Sequence, residues 1–275
     1  MRLLLLSTAY LPPVEYVAQM LAHDRILVEQ HDHYLKQTYR NRCTIAGPEG
    51  KLSLTVPIVR PNPRDCPMHL IRISEHGHWR HLHWNALASA YGHSPFFEYY
   101  EDDFRPLYEQ PYEFLMDFNE ALLHTVCRLI PFTPCLERTT RYLPAPAIGT
   151  ERARTGTEPL AKADTLLDLR DRIHPKHAEG QASHGFRPVA YHQVFQNRLG
   201  FLSGLSVVDL LFNTGPESLL VLRKSIGMDQ AEPPIGAPAS CTAPNTSSAV
   251  VASRSLKGRP FAPPNPFFLQ PPITH

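Results

Sequence analysis

The first thirty residues contain the pattern that most restricts the fold of this chain. Residues 2–6 include four consecutive leucines and are followed by the pair Pro12-Pro13, which is typical of a strand buried on both faces of a sheet. Apolar side chains then recur at helical spacing over residues 13–23, and a second apolar run covers residues 25–30. A strand, a helix and a strand within this length predict a βαβ unit with parallel strands and a right-handed crossover.

Further elements follow along the chain, and helices dominate its second half. Apolar strands at 43–45 and 52–59 flank a Gly-Pro-Glu-Gly turn and predict a hairpin. Helical spacing predicts long helices over 79–91 and 112–129. We therefore predict an α/β fold, in which the N-terminal βαβ unit lies in a mixed sheet with flanking helices and the second half is rich in helix. The remaining predicted elements are short strands at 70–73 and 136–143 and short helices at 207–212 and 216–222.

Composition divides the chain into one folded region and two weak ones. With 275 residues, 43% of them apolar, the chain can bury a substantial core. Residues 227–275 contain ten prolines, few charges and no hydrophobic period, and such a segment cannot offset the entropy cost of ordering. Residues 145–163 also lack a sustained apolar pattern. We expect a single α/β domain over 1–225, with an irregular insertion at about 145–163, and a disordered tail at 227–275.

Charge and cysteine content exclude several classes of protein. The formal net charge is +1 and the pI is about 7.8, so overall charge does not favour nucleic acid or an anionic membrane as a partner. Five cysteines form no CxxC pair, which fits a reducing compartment. No apolar run approaches the roughly 20 residues of a membrane span, and the N-terminal run is too short for a signal peptide. We expect a cytoplasmic protein that acts on a small-molecule substrate.

The segment from His31 to Arg42 is the strongest functional signal in the sequence. It combines imidazole, guanidinium, phenol and amide groups directly after the second predicted strand, and open α/β sheets bind ligands at such strand ends. Its cations suit phosphate, pyrophosphate or carboxylate groups. The alternative is a solvated edge strand whose charges oppose aggregation. The candidate substrate-binding residues in this segment are Tyr34, Lys36, Gln37, Arg40, Asn41 and Arg42.

The same segment contains candidates for acid–base catalysis. Imidazole suits proton transfer at neutral pH, so His31 or His33 would serve as a general base, and Glu29 or Asp32 would orient the ring. The candidate catalytic residues are therefore His31, His33 and Glu29. The sequence His-Asp-His offers alternating metal donors but no third ligand at a recognisable spacing, so no metal site is expected.

Three other groups of residues have both a functional and a structural interpretation. The four histidines in 76–83 suggest zinc, but their spacing matches no known ligand pattern, which favours core or surface use. Aromatic residues crowd 96–108, where a core is favoured over a sugar pocket. Cys43 opens an apolar strand, which favours a buried thiol over a reactive one. The sequence has no Walker A, GxGxxG, HExxH or nucleophile-elbow motif, and no cofactor is expected.

A series of blocks over about residues 3–222 forms a specific set. It consists of Tyr10–Pro13 with Glu15-Tyr16, residues 29–42, residues 52–59, Trp79, His83-Trp84, Ala90-Tyr91, residues 94–97, Tyr99-Tyr100, residues 191–195 and residues 205–217. These blocks resemble the WbqC-like protein family. The resemblance implies a role linked to surface-polysaccharide gene clusters, notably those of O-antigen, and transfer of glycine or a similar aminoacyl group to an amino sugar. Many relatives have His-Gln-Pro where this chain has Ser7, Thr8 and Ala9, so any catalytic histidine of those relatives is missing here.

The residue pattern and the resemblance combine into one hypothesis, which is transfer of a small acyl or aminoacyl group to an amino sugar. Amide formation needs a base for the amine proton and donors for the developing oxyanion. His31 or His33 would be the base, and the cations of the segment would hold the diphosphate of a nucleotide sugar or the activated donor. Backbone N–H groups of the loop with Tyr10 and Pro12, which opens a helix, would add to the anion site. Replacement of Arg40 by Ala is expected to abolish turnover and leave the fold intact.

Two other classes of function stay open at this point. A strand, a proline-containing loop, a helix and a strand also begin many nucleotide-binding α/β domains, so one alternative is a nucleotidyl- or glycosyltransferase that acts on nucleotide sugars. The other alternative is a non-catalytic protein that binds a carbohydrate intermediate or holds assembly enzymes together. Exposure of the aromatic residues in 96–108 would favour this last class.

Overall fold

Six strands form two separate sheets in the computed structural model, which describes residues 1–59, 66–144, 165–177 and 184–228. The strands are β1 (Arg2–Ser7), β2 (Arg25–Glu29), β3 (Arg42–Gly47), β4 (Gly50–Thr55), β5 (Leu136–Arg138) and β6 (Thr165–Asp168). Four of them form a parallel sheet in the order β5-β2-β1-β6, and β3 pairs with β4 in an antiparallel hairpin. The predicted α/β fold is confirmed, but the sheet that contains the βαβ unit is wholly parallel and not mixed, because the antiparallel pair β3–β4 forms a sheet of its own.

The strand–helix–strand order of the predicted βαβ unit and its parallel pairing are also confirmed, whereas the right-handed crossover stays a prediction. β1 pairs in parallel with β2, with Leu3 opposite Arg25. The intervening helix α1 (Val14–Leu21) begins after Pro13, a position where a missing N–H donor costs nothing. Successive side chains of a strand point to opposite faces of the sheet, and both faces of β1 are buried. Leu4 and Leu6 join the main core, whereas Leu5 packs in a smaller apolar cluster.

The β3–β4 hairpin holds the end of the His31–Arg42 segment against the loop that follows β1. Asn41 precedes β3, Val56 follows β4, and two hydrogen bonds join them. The Asn41 Nδ2 donates to the Val56 carbonyl at 2.9 Å, and the Asn41 backbone carbonyl accepts the Val56 N–H at 2.8 Å. The Tyr10 N–H donates to the Tyr39 carbonyl at 2.8 Å. Gly50 occupies the turn with a φ of 125°, which side chains of L residues disfavour. Residues 38–41 are therefore fixed beside the exit of β1.

The remaining helices pack around these sheets. The predicted strand at 70–73 is wrong, since Met68–Leu70 form a 3₁₀ turn and Ile73 makes only an isolated bridge to Ile58; short apolar runs do not determine the type of element. The predicted strand at 136–143 is confined to β5. The helices after α1 are α2 (Trp79–Tyr91), α3 (Phe97–Glu109), α4 (Leu115–Leu129), α5 (Gln196–Leu199), α6 (Val207–Thr214) and α7 (Ser218–Ser225).

The aromatic residues of α3 mostly enter the core. Phe97, Phe104 and Tyr108 are buried, whereas Tyr99 is 74% exposed. The first two pack edge-on against Phe212 of α6. The structural interpretation of the aromatic segment is confirmed.

The predictions about a membrane span, the insertion and the C-terminal tail can be compared only with the residues that the structure describes. Within the described ranges, none of the helices combines the length and the apolar composition that a membrane span requires. The predicted insertion at 145–163, and the predicted tail from residue 229 onward, lie outside the described residues.

Candidate functional site

A narrow pocket opens at the carboxyl end of the parallel sheet, between β1 and β6. The chain leaves β1 to reach β2 on one side, whereas β6 lies on the other side of β1, so the strand order reverses here. Open α/β sheets bind ligands at such a reversal. The cavity of this pocket has a volume of only about 10 Å³, room for about one water molecule, and it lies within about 300 Å³ of space that includes open solvent. This switch-point pocket is lined by Ser7, Thr8, Ala9, Tyr16, Thr38, Tyr39, Arg40, Leu169, Arg170, Ile173 and His174.

The lining of the switch-point pocket favours an anionic ligand. Its basic side chains are Arg40, Arg170 and His174, and among the described residues no carboxylate lines it. The acidic partners of the two arginines, Asp32 and Asp168 among them, are not part of the lining. Guanidinium groups bind phosphate and carboxylate oxygens through paired N–H donors. Phosphate, pyrophosphate or carboxylate groups therefore match this wall.

Arg40 keeps hydrogen-bonding capacity for a ligand. Its side chain is only 2% exposed, and its Nη2 donates to Asp32 Oδ2 at 2.5 Å and lies 3.7 Å from Asp171 Oδ1. Its Nε is buried and has no hydrogen-bond partner among the residues that the structure describes. A guanidinium group carries five N–H donors, so Arg40 can bind an anion without losing Asp32 once a neighbouring side chain moves to expose the buried Nε.

Arg170 is more fully engaged than Arg40. Its Nε and Nη2 donate to Asp168 at 3.0 and 2.6 Å, and its Nη1 donates to the Leu143 carbonyl at 2.7 Å. Nη1 also lies 3.5 Å from Glu29 Oε2. Because every nitrogen has a partner, and because Asp168 and Glu29 balance its charge, Arg170 gives the pocket a fixed wall and few free donors.

Glu29 joins the carboxyl ends of three strands. Its carboxylate is buried at the end of β2 and accepts the His31 N–H at 2.9 Å and the Thr139 hydroxyl at 2.8 Å. It also accepts the Leu143 N–H at 2.9 Å and approaches Arg170. The hydrogen-bonding capacity of this buried carboxylate is satisfied within the folded protein. Glu29 therefore positions its neighbours and does not line the pocket. Its predicted catalytic role stays a prediction.

The two candidate histidines lie in different environments, and neither lines the pocket. His31 is half-buried, with Nε2 at 3.2 Å from the Thr139 carbonyl oxygen and its ring edge against His69. Since a carbonyl only accepts, this contact places the proton of a neutral ring on Nε2 and leaves Nδ1 as an acceptor. His33 is exposed, and its backbone N–H donates to Asp32 Oδ1 at 2.7 Å. His31 is therefore the better oriented of the two.

His174 also lines the pocket, although no pattern in the sequence predicted it. The Lys176 N–H donates to its Nδ1 at 3.1 Å, which leaves Nε2 to carry the proton of a neutral ring. The residue follows β6, a strand of four residues that adjoins a stretch without apolar pattern. A strand that short carries no reliable signal of its own.

The other predicted substrate-binding residues of the segment lie away from the pocket lining. Lys36 and Gln37 are exposed, and Tyr34 is half-buried, which raises the pKa of its phenol. Asn41 is buried and serves the hairpin, while Arg42 Nε donates to the Thr55 hydroxyl at 3.2 Å. Of the six predicted residues, the structure thus brings only Arg40 into the switch-point pocket.

Tyr10 and Pro12 lie inside the protein. The Tyr10 hydroxyl is 2.8 Å from His83 Nδ1 and 2.9 Å from the Tyr108 hydroxyl. Burial raises the pKa of Tyr10 well above its usual value and lowers the pKa of His83 to about 4. The Pro12 carbonyl accepts the Val207 N–H at 2.8 Å. Both residues therefore hold the loop after β1 in place through contacts in the protein interior.

The remaining candidate clusters have structural environments. His76, His78 and His81 are exposed, whereas His83 is buried in the Tyr10 network. No group of three or more potential metal ligands is found among the described residues. Cys43 is buried, and burial raises the pKa of its thiol, so it is not poised as a thiolate.

The model of the WbqC-like protein family matches residues 8–221. The chain belongs to this family. Within the WbqC-like match lies every residue that lines the switch-point pocket except Ser7. A relative from Mycobacterium tuberculosis, described as uncharacterized protein Rv1507c, is 24% identical over 231 residues, which cover 80% of this chain and 96% of that protein. No solved structure matches the chain.

Proposed function

We propose that this WbqC-like protein transfers a small acyl or aminoacyl group to the amine of an amino sugar during surface-polysaccharide synthesis. The observation that carries the proposal is the switch-point pocket, whose basic lining consists of Arg40, Arg170 and His174. A nucleotide sugar presents a diphosphate, which is the kind of anion that such a wall binds. The substrate class is the one that the resemblance to the WbqC-like family implies.

Arg40 would be the principal ligand of the diphosphate. Its Nε lacks a partner among the described residues, and its contact with the exposed Asp171 is long, at 3.7 Å. A phosphate would displace that carboxylate at small cost, since exposed ion pairs contribute little. Arg170 would form the wall of the site beside the diphosphate, held in place by Asp168.

His31 would act as the general base. In the proposed reaction, the amine nitrogen forms a bond to the carbonyl carbon of the acyl donor, and its proton passes to His31 Nδ1. The bond from that carbon to the leaving group breaks, and the leaving group takes the electron pair. Glu29 would act as a positioning residue, because it accepts the His31 N–H. The acceptor sugar would extend from the switch-point pocket toward the end of β2.

The binding step can be tested with a conservative variant of Arg40. Replacement by Ala no longer serves the purpose, because the side chain is buried and paired with Asp32 and its loss would destabilise the fold by about 3–5 kcal/mol. Arg40→Lys keeps the charge and removes the planar set of donors. We expect it to weaken binding of uridine diphosphate glucosamine about tenfold, the effect of a lost hydrogen bond to a charged group. Arg72→Lys, in an exposed ion pair with Glu113, should bind normally. Equal affinity of Arg40→Lys and the wild type would contradict the proposal.

The reaction class can be read from the products. After incubation with nucleotide amino sugars and activated acyl donors, mass spectrometry would detect a sugar nucleotide that has gained an acyl group. Release of a nucleoside diphosphate would instead indicate a glycosyltransferase, and formation of a nucleoside triphosphate after pyrophosphate is added would indicate a nucleotidyltransferase, since a pocket at a strand reversal suits the diphosphate in each case. Binding without any product would indicate a carbohydrate-binding protein.

A further inference from the structure

A second pocket adjoins the switch-point pocket and lies against helix α4. The two pockets share Thr8, Ala9 and Tyr16 in their walls. We call the second one the α4 pocket. Its apolar surface comes from β2, β5 and α4 and consists of Val28, Leu136, Met116 and Leu123.

Asn119 gives the α4 pocket a hydrogen-bond acceptor that is not satisfied. Its Nδ2 donates to the Arg40 carbonyl at 2.8 Å and to the Thr8 hydroxyl oxygen at 3.2 Å. The Arg40 carbonyl fixes the orientation of the amide, because a flipped amide would place two oxygens against each other. Asn119 is 1% exposed, and its Oδ1 is buried without a partner among the described residues. A buried acceptor in this state is costly, and a donor on a bound ligand would relieve the cost.

The charged residues that line the α4 pocket are Glu120, Glu137 and Arg138. Glu137 pairs with Arg25, whereas Glu120 pairs with Arg138 and lies 3.7 Å from His124, so a ligand amine would share Glu120 with Arg138. We infer that the α4 pocket binds the primary amine of a compact, partly apolar ligand. The ammonium group would donate to Asn119 Oδ1 and lie near Glu120. Either an aminoacyl group or an amino sugar carries such an amine. This binding is a property of the second pocket and does not depend on the reaction proposed above.

A side chain must move before a ligand can reach Asn119, because its Oδ1 has almost no exposed surface. Met116 is suited to this, since it lines the pocket and an unbranched thioether side chain adapts readily to a new neighbour. Arg138 lies at the same pocket and is half-buried. The α4 pocket is therefore expected to widen when the ligand binds.

The test compares amines with matched compounds that lack the amine. Binding of glycinamide against acetamide, and of glucosamine against glucose, would be measured by calorimetry or ligand-observed NMR on the full chain. We expect only the amines to bind. Glu120→Gln should weaken their binding about tenfold, because one charge-assisted contact is lost. Asp117→Asn is the matched control, since Asp117 also pairs with Arg138 from α4 at 2.7 Å but does not line the pocket; it should leave amine binding unchanged.

The outcomes separate cleanly. Binding of glycinamide alone would assign the site to an aminoacyl group, and binding of glucosamine alone would assign it to the sugar amine. Equal binding of amines and their amine-free analogues would overturn the inference, and so would equal losses in Glu120→Gln and Asp117→Asn. Loss of diphosphate binding in Arg40→Lys bears on the switch-point pocket and the proposed function, and not on the α4 pocket. Leu123→Trp should block the amine site while diphosphate binding persists.

Discussion

Replacement of Glu29 by Gln should destabilise the protein strongly, although the two side chains have almost the same shape. The carboxylate accepts backbone N–H groups on both of its oxygens, from His31 at 2.9 Å and Leu143 at 2.9 Å. A Gln amide has one oxygen, so whichever way it is turned, its NH₂ group faces one of these N–H groups. The loss of a hydrogen bond to a charged group, together with an unsatisfied buried donor, costs about 3–5 kcal/mol. For a folded region of this size, such a loss lowers Tm by on the order of 10 °C.

The matched control is Glu137→Gln. Glu137 also pairs with an arginine of the parallel sheet, Arg25, but its side chain is 41% exposed. Removal of an exposed ion pair costs at most about 1 kcal/mol. Urea denaturation followed by circular dichroism would give the free energy of unfolding of each variant. A Glu29→Gln variant within about 1 kcal/mol of the wild type would refute the structural role assigned to this carboxylate.

Three further predictions concern stability. Burial raises the pKa of Asp209 to about 6, so the folded protein binds this proton more tightly than the unfolded chain does. As the pH rises from about 4 to 6, the free energy of unfolding of the wild type, measured in urea titrations relative to Asp209→Asn, should fall by about 3 kcal/mol. A difference between the two proteins that does not change with pH would contradict the assignment. Tyr10→Phe removes the hydroxyl that contacts both His83 Nδ1 and the Tyr108 hydroxyl. It should lower the free energy of unfolding by about 2–4 kcal/mol, against about 1 kcal/mol for Tyr108→Phe. Similar losses for the two variants in chemical denaturation would contradict the central place of Tyr10 in this hydrogen-bond network. Removal of residues 229–275 should leave Tm unchanged in calorimetry, because their composition offers no core, and a large drop would show that they stabilise the domain.

The parts of the fold that could be predicted from sequence are those with strong local signals. The apolar run Leu3–Leu6 predicts a buried strand, and the helical spacing directly after it predicts α1. The βαβ unit can therefore be predicted from the first thirty residues alone. β6 has only four residues and pairs with β1 from far along the chain. Its place in the sheet, and with it the position of the strand reversal, depends on tertiary contacts that no local pattern encodes.

The candidate site shows the same division. A polar segment after β2 predicts a ligand site at the carboxyl end of the sheet, and Arg40 does line a pocket there. The sequence does not reveal that the segment turns so that Lys36 faces solvent while Arg40 is buried. Nor does it reveal that Glu29 is occupied by Leu143 and Arg170, which follow it by more than 100 positions. Burial and pairing of polar groups are properties of the assembled chain.

The order of synthesis sets a particular problem for this sheet. β1 is one of its two inner strands and is made before the other three, yet one of its edges receives a partner only when β6 has been made, after residues 8–164. Until then, an apolar strand offers unpaired N–H and C=O groups to any neighbouring chain. Pairing over so long a separation is slow, so newly made protein should depend on chaperones, and cooling during expression should raise the yield of folded material.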